Sequence, residues 1–224
     1  MAEESTAVTI AGYPASIVAF AHAGVSVSLY QVARIEDLVD REALLRDDFV
    51  PEPPYWAHLW IGARALARRI AESGDITGRR VLDLGCGLGL PGLIAAAKGA
   101  SVVFADREPA ALEFARASAG RNRFRDVRFA TLDFTRSSLD VEFDVILGAE
   151  LVYDPQSYLP LADFLVRHLA RDGRIHLTDA FRSDAERFFA ELRGRGFEGE
   201  RSACREWEDG KPQGLFLWAF RRSG

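Results

Sequence analysis

The chain has 224 residues, 48% of them apolar and 27% charged, proportions that can bury a sizeable core in one domain, or in one domain with a small appendage. Its net charge of −5 excludes a global field drawing it toward nucleic acid or anionic lipid. Two cysteines, Cys86 and Cys204, exclude a disulfide framework and lack metal-ligand spacing, and His22, His58, His168 and His176 form no HxxxH-type pair, so a reducing cytoplasm is the expected compartment.

The N-terminal MAEESTAVTIAGYP carries acids where a secretory signal needs positive charge. Gly12, Pro14, His22 and Gly24 interrupt the apolar stretch before Tyr30, which argues against a membrane span. Residues 8–31 read as β structure, and in VSVSLY the apolar Val25, Val27 and Leu29 alternate with Ser26, Ser28 and Tyr30. A short charged helix over 36–46 follows, then a hinge, PEPP, at 51–54. In YWAHLWIGARALARRI, Trp56, Leu59, Trp60, Ala63, Leu66, Ala67 and Ile70 recur at helical spacing. The stripe predicts a helix starting at Trp56 with Trp60 in the core, and Arg64, Arg68 and Arg69 off the stripe.

From residue 79 onward strands and helices alternate. Strands are predicted near 80–84, 101–106, 127–130, 143–148 and 173–178, and helices near 89–98, 109–120, 155–170 and 183–193, an order that specifies βαβ units and a mostly parallel sheet covered on both faces. Asp154-Pro155 and Glu108-Pro109 each place an acid before a proline, marking helix starts. Two strand-like runs near 197–204 and 214–220 end the chain as a hairpin that would insert an antiparallel strand.

The informative turn is VLDLGCGLGLPG, residues 81–92. Gly85 and Gly87 supply two positions of a dinucleotide fingerprint, but Leu90 occupies the third. What stands instead is DxGxGxG from Asp83 to Gly89. A carboxylate just before the turn suits an ammonium or sulfonium, whereas a pyrophosphate prefers amide hydrogens and a helix N-terminus, so the pattern favours S-adenosylmethionine over a nicotinamide. Asp106, at the end of SVVFAD, is either an acceptor for ribose hydroxyls or a helix-capping aspartate. Asp133 follows the third strand, where it could accept an adenine amino hydrogen while Phe134 covers a ring face. Three acids just past three successive strands open on one crevice.

Together, the block from Val81 to about Tyr153 resembles the seven-strand S-adenosylmethionine-dependent methyltransferases. The resemblance implies a Rossmann-like α/β fold with a seven-stranded sheet. It also implies Asp83, Gly85, Cys86 and Gly87 at the methionine end of the donor, Asp106 and Arg107 at the ribose, and Asp133 and Phe134 at the adenine. Ala149 and Trp56 complete the set, and the product would be S-adenosyl-L-homocysteine. Cys86 is given no redox role. In GAELVYDP, residues 148–155, Glu150 and Tyr153 form an ExxY run after the fourth strand, and with PYWAHLW upstream this is similar to protein lysine methyltransferases that carry a D/E-x-x-Y motif. Within that branch the PYWA run is most similar to the enzymes acting on the β subunit of electron-transfer flavoprotein. The resemblance covers roughly residues 51–180.

Read by chemistry, Glu150 would align a lysine ammonium more than deprotonate it, and Tyr153 would add a hydroxyl or an aromatic wall. A salt-bridged Glu150 and a core Tyr153 is the competing reading. The expected partner is a protein presenting a lysine, or else a small molecule that is N- or O-methylated. A non-catalytic cofactor-binding module and a nicotinamide oxidoreductase are the further alternatives, the latter disfavoured by Asp83 and Leu90. No nucleic-acid partner is expected: EPPY at 52–55 is similar to a base-methylation motif but lies before the glycine turn, and RNRFRDVR at 121–128 reads as a solvated loop. Residues 1–50 are expected to form a β-containing extension that caps the crevice and helps select the substrate, and residues 51–224 the methyltransferase domain.

Overall fold

Strand alternation and two tight turns shape the first segment. In a computed structural model of the chain, which describes residues 8–38, 54–74, 76–180 and 185–224, β1 (Val8–Ile10), β2 (Tyr13–His22) and β3 (Val25–Val32) form an antiparallel meander. The charged helix expected over 36–46 is described only as far as a 3-10 turn, Ile35–Leu38. Its remainder, Pro51 and Pro53 of the hinge, and the acidic first seven residues lie outside the described residues. The meander is a sheet of its own, with Val27 and Leu29 buried on one face. It docks on the end of a helix of the main domain: Asn122 Oδ1 accepts from the Ser28 N–H at 3.0 Å, Asn122 Nδ2 donates to the Ser28 carbonyl at 2.6 Å, and the Ser118 hydroxyl accepts from the Tyr30 N–H at 2.9 Å.

The main sheet has seven strands: β4 (Arg80–Leu84), β5 (Ser101–Asp106), β6 (Val127–Thr131), β7 (Phe143–Ala149), β8 (Leu169–Asp179), β9 (Phe197–Glu208) and β10 (Lys211–Arg222), in the order β6-β5-β4-β7-β8-β10-β9. The first five are parallel, and β10 runs antiparallel to both its neighbours, so the closing hairpin inserts its strand as the sequence implies. Helices α1 (Ile61–Glu72), α2 (Leu90–Ala97) and α3 (Pro109–Arg121) cover one face, together with the meander. Helices α4 (Tyr158–His168) and α5 (Ala185–Gly194) cover the other. The two-residue period of β4 is the reason both faces need covering: Val81 enters the first core, Leu82 and Leu84 the second. Strand order reverses beside β4, so the crevice at its carboxyl end is the natural ligand position. No helix among the described residues is long and apolar enough to cross a membrane.

Three local expectations are corrected. Helix α1 starts at Ile61, not Trp56. Tyr55–Ala57 form a 3-10 turn, and His58 and Trp60 are extended, with ψ of 132° and 148°. Leu66, Ala67 and Ile70 do face the core, but Trp60 is only half-buried, and its indole N–H donates to the Tyr55 carbonyl at 2.8 Å. Asp154 caps as expected, accepting from the Gln156 N–H, but Glu108 makes no side-chain cap. The Glu108 N–H donates instead to Asp106.

Candidate active site

The carboxyl ends of the central strands open on a cavity of about 700 Å³, within the range that takes a drug-sized ligand. Its floor is the turn after β4. Gly87 there has φ +51°, and a Cβ on it would stand 3.1 Å from the Trp56 carbonyl oxygen, so backbone runs close against backbone. Trp56, wedged between Tyr13 and Phe114 at ring separations of 5.7 and 5.5 Å, fixes the opposite wall. Cys86 is buried, its N–H donates to the Ala105 carbonyl, and burial pushes its thiol well up, which leaves it a packing residue rather than a thiolate.

The acids divide by depth. Asp106 lines the cavity and clamps the turn: Oδ2 accepts from the Gly87 N–H at 2.8 Å and Oδ1 from the Glu108 N–H at 2.9 Å. It is therefore both the local cap and a wall residue, and burial raises its pKa. Asp133 lies on the same wall, accepting from the Thr135 N–H and hydroxyl at 2.9 and 2.6 Å, and the hydroxyl bond holds its carboxyl below the ordinary value. Phe134, Arg107 and Ala149 also line the cavity. Asp83 does not. Its side chain is 1% exposed, with Oδ2 accepting from the Gly92 N–H of α2 at 2.9 Å. Burial lifts it to about 8, and Asp106 nearby adds to the rise. The carboxyl that the sequence places against a sulfonium thus stands behind the turn, protonated and bracing its helix.

Glu150 follows β7 with φ +55°, a left-handed conformation uncommon for a residue with a Cβ. Its N–H donates to the Thr178 carbonyl at 3.1 Å, and its Oε2 accepts from the Ala180 N–H at 3.3 Å. The side chain lines the cavity beside the first turn of α1, where the helix dipole favours a carboxylate. Tyr153 is 49% exposed at the mouth, so it is not a core residue. It starts an aromatic rim: Tyr153 to Tyr55 is 6.2 Å between ring centroids, Tyr55 to Trp60 is 6.1 Å, and His58 meets Trp60 edge-on at 4.7 Å.

Sequence reasoning missed Tyr55, Trp60, Leu132 and Thr135 as wall residues. The PYWA run could have flagged Tyr55, whereas Leu132 and Thr135 carried no signal beyond adjacency to Asp133. No described residue of the N-terminal meander lines the cavity. Residues 8–38 back its wall through Tyr13 rather than lying over its mouth.

The family model Methyltransferase small domain matches residues 55–149. The protein N-lysine methyltransferase METTL21A of Danio rerio is 38% identical over 130 residues, covering 54% of this chain and 59% of that protein. The electron transfer flavoprotein beta subunit lysine methyltransferase of Danio rerio is 35% identical over 143 residues, 62% of this chain and 54% of that protein. The chain thus spans somewhat more than half the length of these relatives. Over residues 55–149 the chain is similar to methyltransferases. The N-methyltransferase NodS from Bradyrhizobium japonicum WM9, solved in complex with S-adenosyl-L-homocysteine, shares the fold, with a TM-score of 0.59 at 21% identity over 85% of this chain and 97% of that one. The S-adenosyl-L-homocysteine held by that neighbour is a nucleoside, and the cavity has the features to fit one. The backbone of the turn is bare at Gly87, and two carboxylates, Asp106 and Asp133, stand on successive strand ends with an aromatic face, Phe134, beside the second.

Proposed function

We propose that the chain N-methylates lysine side chains of a protein substrate, with S-adenosylmethionine bound in the 700 Å³ cavity. The observation that carries this reading is Glu150, a buried carboxylate at a left-handed kink on the wall between the glycine turn and the aromatic rim. The two Danio rerio relatives named as lysine methyltransferases support the same substrate class. When bound, the donor supplies an electrophilic methyl group on a sulfonium.

Asp106 would accept from the ribose hydroxyls, Asp133 would accept from the adenine amino group beside Phe134, and Trp56 and the Gly85–Gly87 backbone would hold the amino-acid end. Asp83 serves this end indirectly, by fixing α2 under the turn. Glu150 would pair with the incoming ammonium and aim it at the methyl. Its charge favours the protonated amine, so it orients rather than deprotonates. Freeing the amine of an ordinary lysine at neutral pH costs about 4–5 kcal/mol, and holding the reacting atoms about 3–3.5 Å apart offsets part of that barrier. Tyr153, Tyr55 and Trp60 would flank the cation with ring faces. We further propose that residues 1–50 form an appendage to a methyltransferase domain spanning 51–224, and that the protein works in the cytoplasm on a protein rather than on nucleic acid or a membrane.

Incubating the protein with labelled donor and a lysate tests the reading. Label is expected on protein lysines, and Glu150→Gln is expected to abolish it while donor affinity stays within about twofold. Label confined to small molecules, or equal loss of transfer and donor affinity, would overturn it.

A further inference from the structure

Behind Glu150 lies a side chain that the sequence does not mark. Thr178, near the end of β8, is 0% exposed. Its carbonyl accepts from the Glu150 N–H at 3.1 Å, but its hydroxyl makes no hydrogen bond among the described residues. Burying a hydroxyl without a partner forfeits its hydration, and a valine would fill nearly the same volume without that loss. The hydroxyl is therefore not there for packing.

Its neighbour is the Glu150 carboxylate. A Cβ on Gly62 would stand 2.6 Å from Thr178 Oγ1, 2.7 Å from Glu150 Oε1 and 2.8 Å from Glu150 Cγ. Any side chain at Gly62 would take this corner, so the first turn of α1, the hydroxyl and the carboxylate can share it only because position 62 is glycine. Glu150 also holds φ +55°, a conformation in which the Cβ of an L-residue crowds the following carbonyl oxygen. Its Oε2 is held by the Ala180 N–H at 3.3 Å, long for a charge-assisted bond. Backbone strain, a missing side chain and a buried hydroxyl all converge on one carboxylate.

We propose that Thr178 is a positioning residue for Glu150: its hydroxyl is the donor that holds Oε1 while a substrate amine engages the carboxylate, and Gly62 is the gap that admits both. The inference rests on the reading of Glu150 as the carboxylate that aligns the substrate. A carboxylate drawn forward by an ammonium needs a hold on its far side to keep its aim, as supporting hydrogen bonds keep other reactive groups oriented. If threonine stood here only for its strand propensity, valine would serve equally well.

The test uses the full chain, labelled donor and a lysate, with both the protein and the small-molecule pools counted. Thr178→Val is expected to lower the transfer rate about tenfold, the worth of one hydrogen bond. The loss should fall on kcat, donor affinity should stay unchanged, and the melting temperature should be equal or higher. Thr178→Ser, which restores the hydroxyl, should recover most of the rate. Gly62→Ala should reproduce the loss by displacing the carboxylate. In a Glu150→Gln background, the effect of Thr178→Val on melting temperature should differ from that in the parent, because the two groups share one corner. A Thr178→Val rate within about twofold of the parent would refute the proposal, as would additive effects on melting temperature. Label entering only small molecules would overturn the lysine reading instead, while the same rate comparison on that pool still decides Thr178. With no label at all, the melting-temperature cycle decides it alone.

Discussion

Replacing Asp83 with asparagine should uncouple the protein's heat stability from a proton taken up on folding. The carboxyl is buried against α2, its pKa raised from 3.8 to about 8 by desolvation. Between those values the folded chain keeps a proton that the unfolded chain has released. The stability this group contributes is therefore full below the unfolded pKa and is lost as pH rises through the folded one. Within that window the loss approaches about 1.4 kcal/mol per pH unit. In a chain of this size 1 kcal/mol moves the melting temperature by about 2–4 °C, so each pH unit should cost about 3–5 °C. Asparagine can still accept from the Gly92 N–H, which Asp83 meets at 2.9 Å, and has nothing to ionise. Asp106 and Cys86, also raised by burial, are present in both proteins and largely cancel in the difference. Melting curves of donor-free parent and Asp83→Asn, recorded from about pH 5 to pH 9, should show the variant gaining on the parent by about 3–5 °C per unit and levelling off above about pH 8. A gap that stays constant with pH would show that Asp83 is ionised in the folded protein, and the reasoning would fail.

Asp106→Asn removes one of two acceptors that clamp the glycine turn and the charge facing the cavity; donor dissociation constants by calorimetry should rise about 10- to 100-fold, the range for a hydrogen bond to a charged group. Gly87→Val forces a branched residue to φ +51° against the Trp56 carbonyl, and should weaken donor binding more than it lowers the melting temperature. Asn122→Ala strips both hydrogen bonds to Ser28, so the meander should loosen, with about 1–3 kcal/mol lost in denaturant titration and donor affinity unchanged.

The main sheet was legible because its central strands are buried on both faces and the helices between them are announced by glycine, proline or a capping acid, as Asp154-Pro155 illustrates. Boundaries blurred where burial stops being the signal. The outer ends of β9 and β10, Arg205–Glu208 paired with Lys211–Gly214, are polar and continue the ladder without an apolar pattern to mark it. The start of α1 was misplaced because periodicity counts apolar residues without saying what they face. Trp56 and Trp60 fit the stripe, yet both line the cavity, and the chain is extended at His58 and Trp60 to allow it. At the site, the order of acids past strand ends located Asp106 and Asp133, but spacing carries no depth, so the withdrawal of Asp83 behind the turn could not be read. Thr178 was invisible for a related reason: a threonine in a strand is ordinary until its hydroxyl is seen to be buried beside a carboxylate.

The lane occupied by β10 has a consequence for how the molecule is made. In the sheet order β9 pairs with β10 alone, so Phe197–Glu208 has no strand to pair with until the residues that follow it have left the ribosome. During that interval β8 presents an open row of amides and carbonyls beside phenylalanines that β10 has yet to cover, Phe188 and Phe189 of α5, the kind of surface that attracts neighbouring nascent chains. Slowing elongation across codons 211–222 should therefore raise the demand for chaperones more than slowing it anywhere in the N-terminal meander.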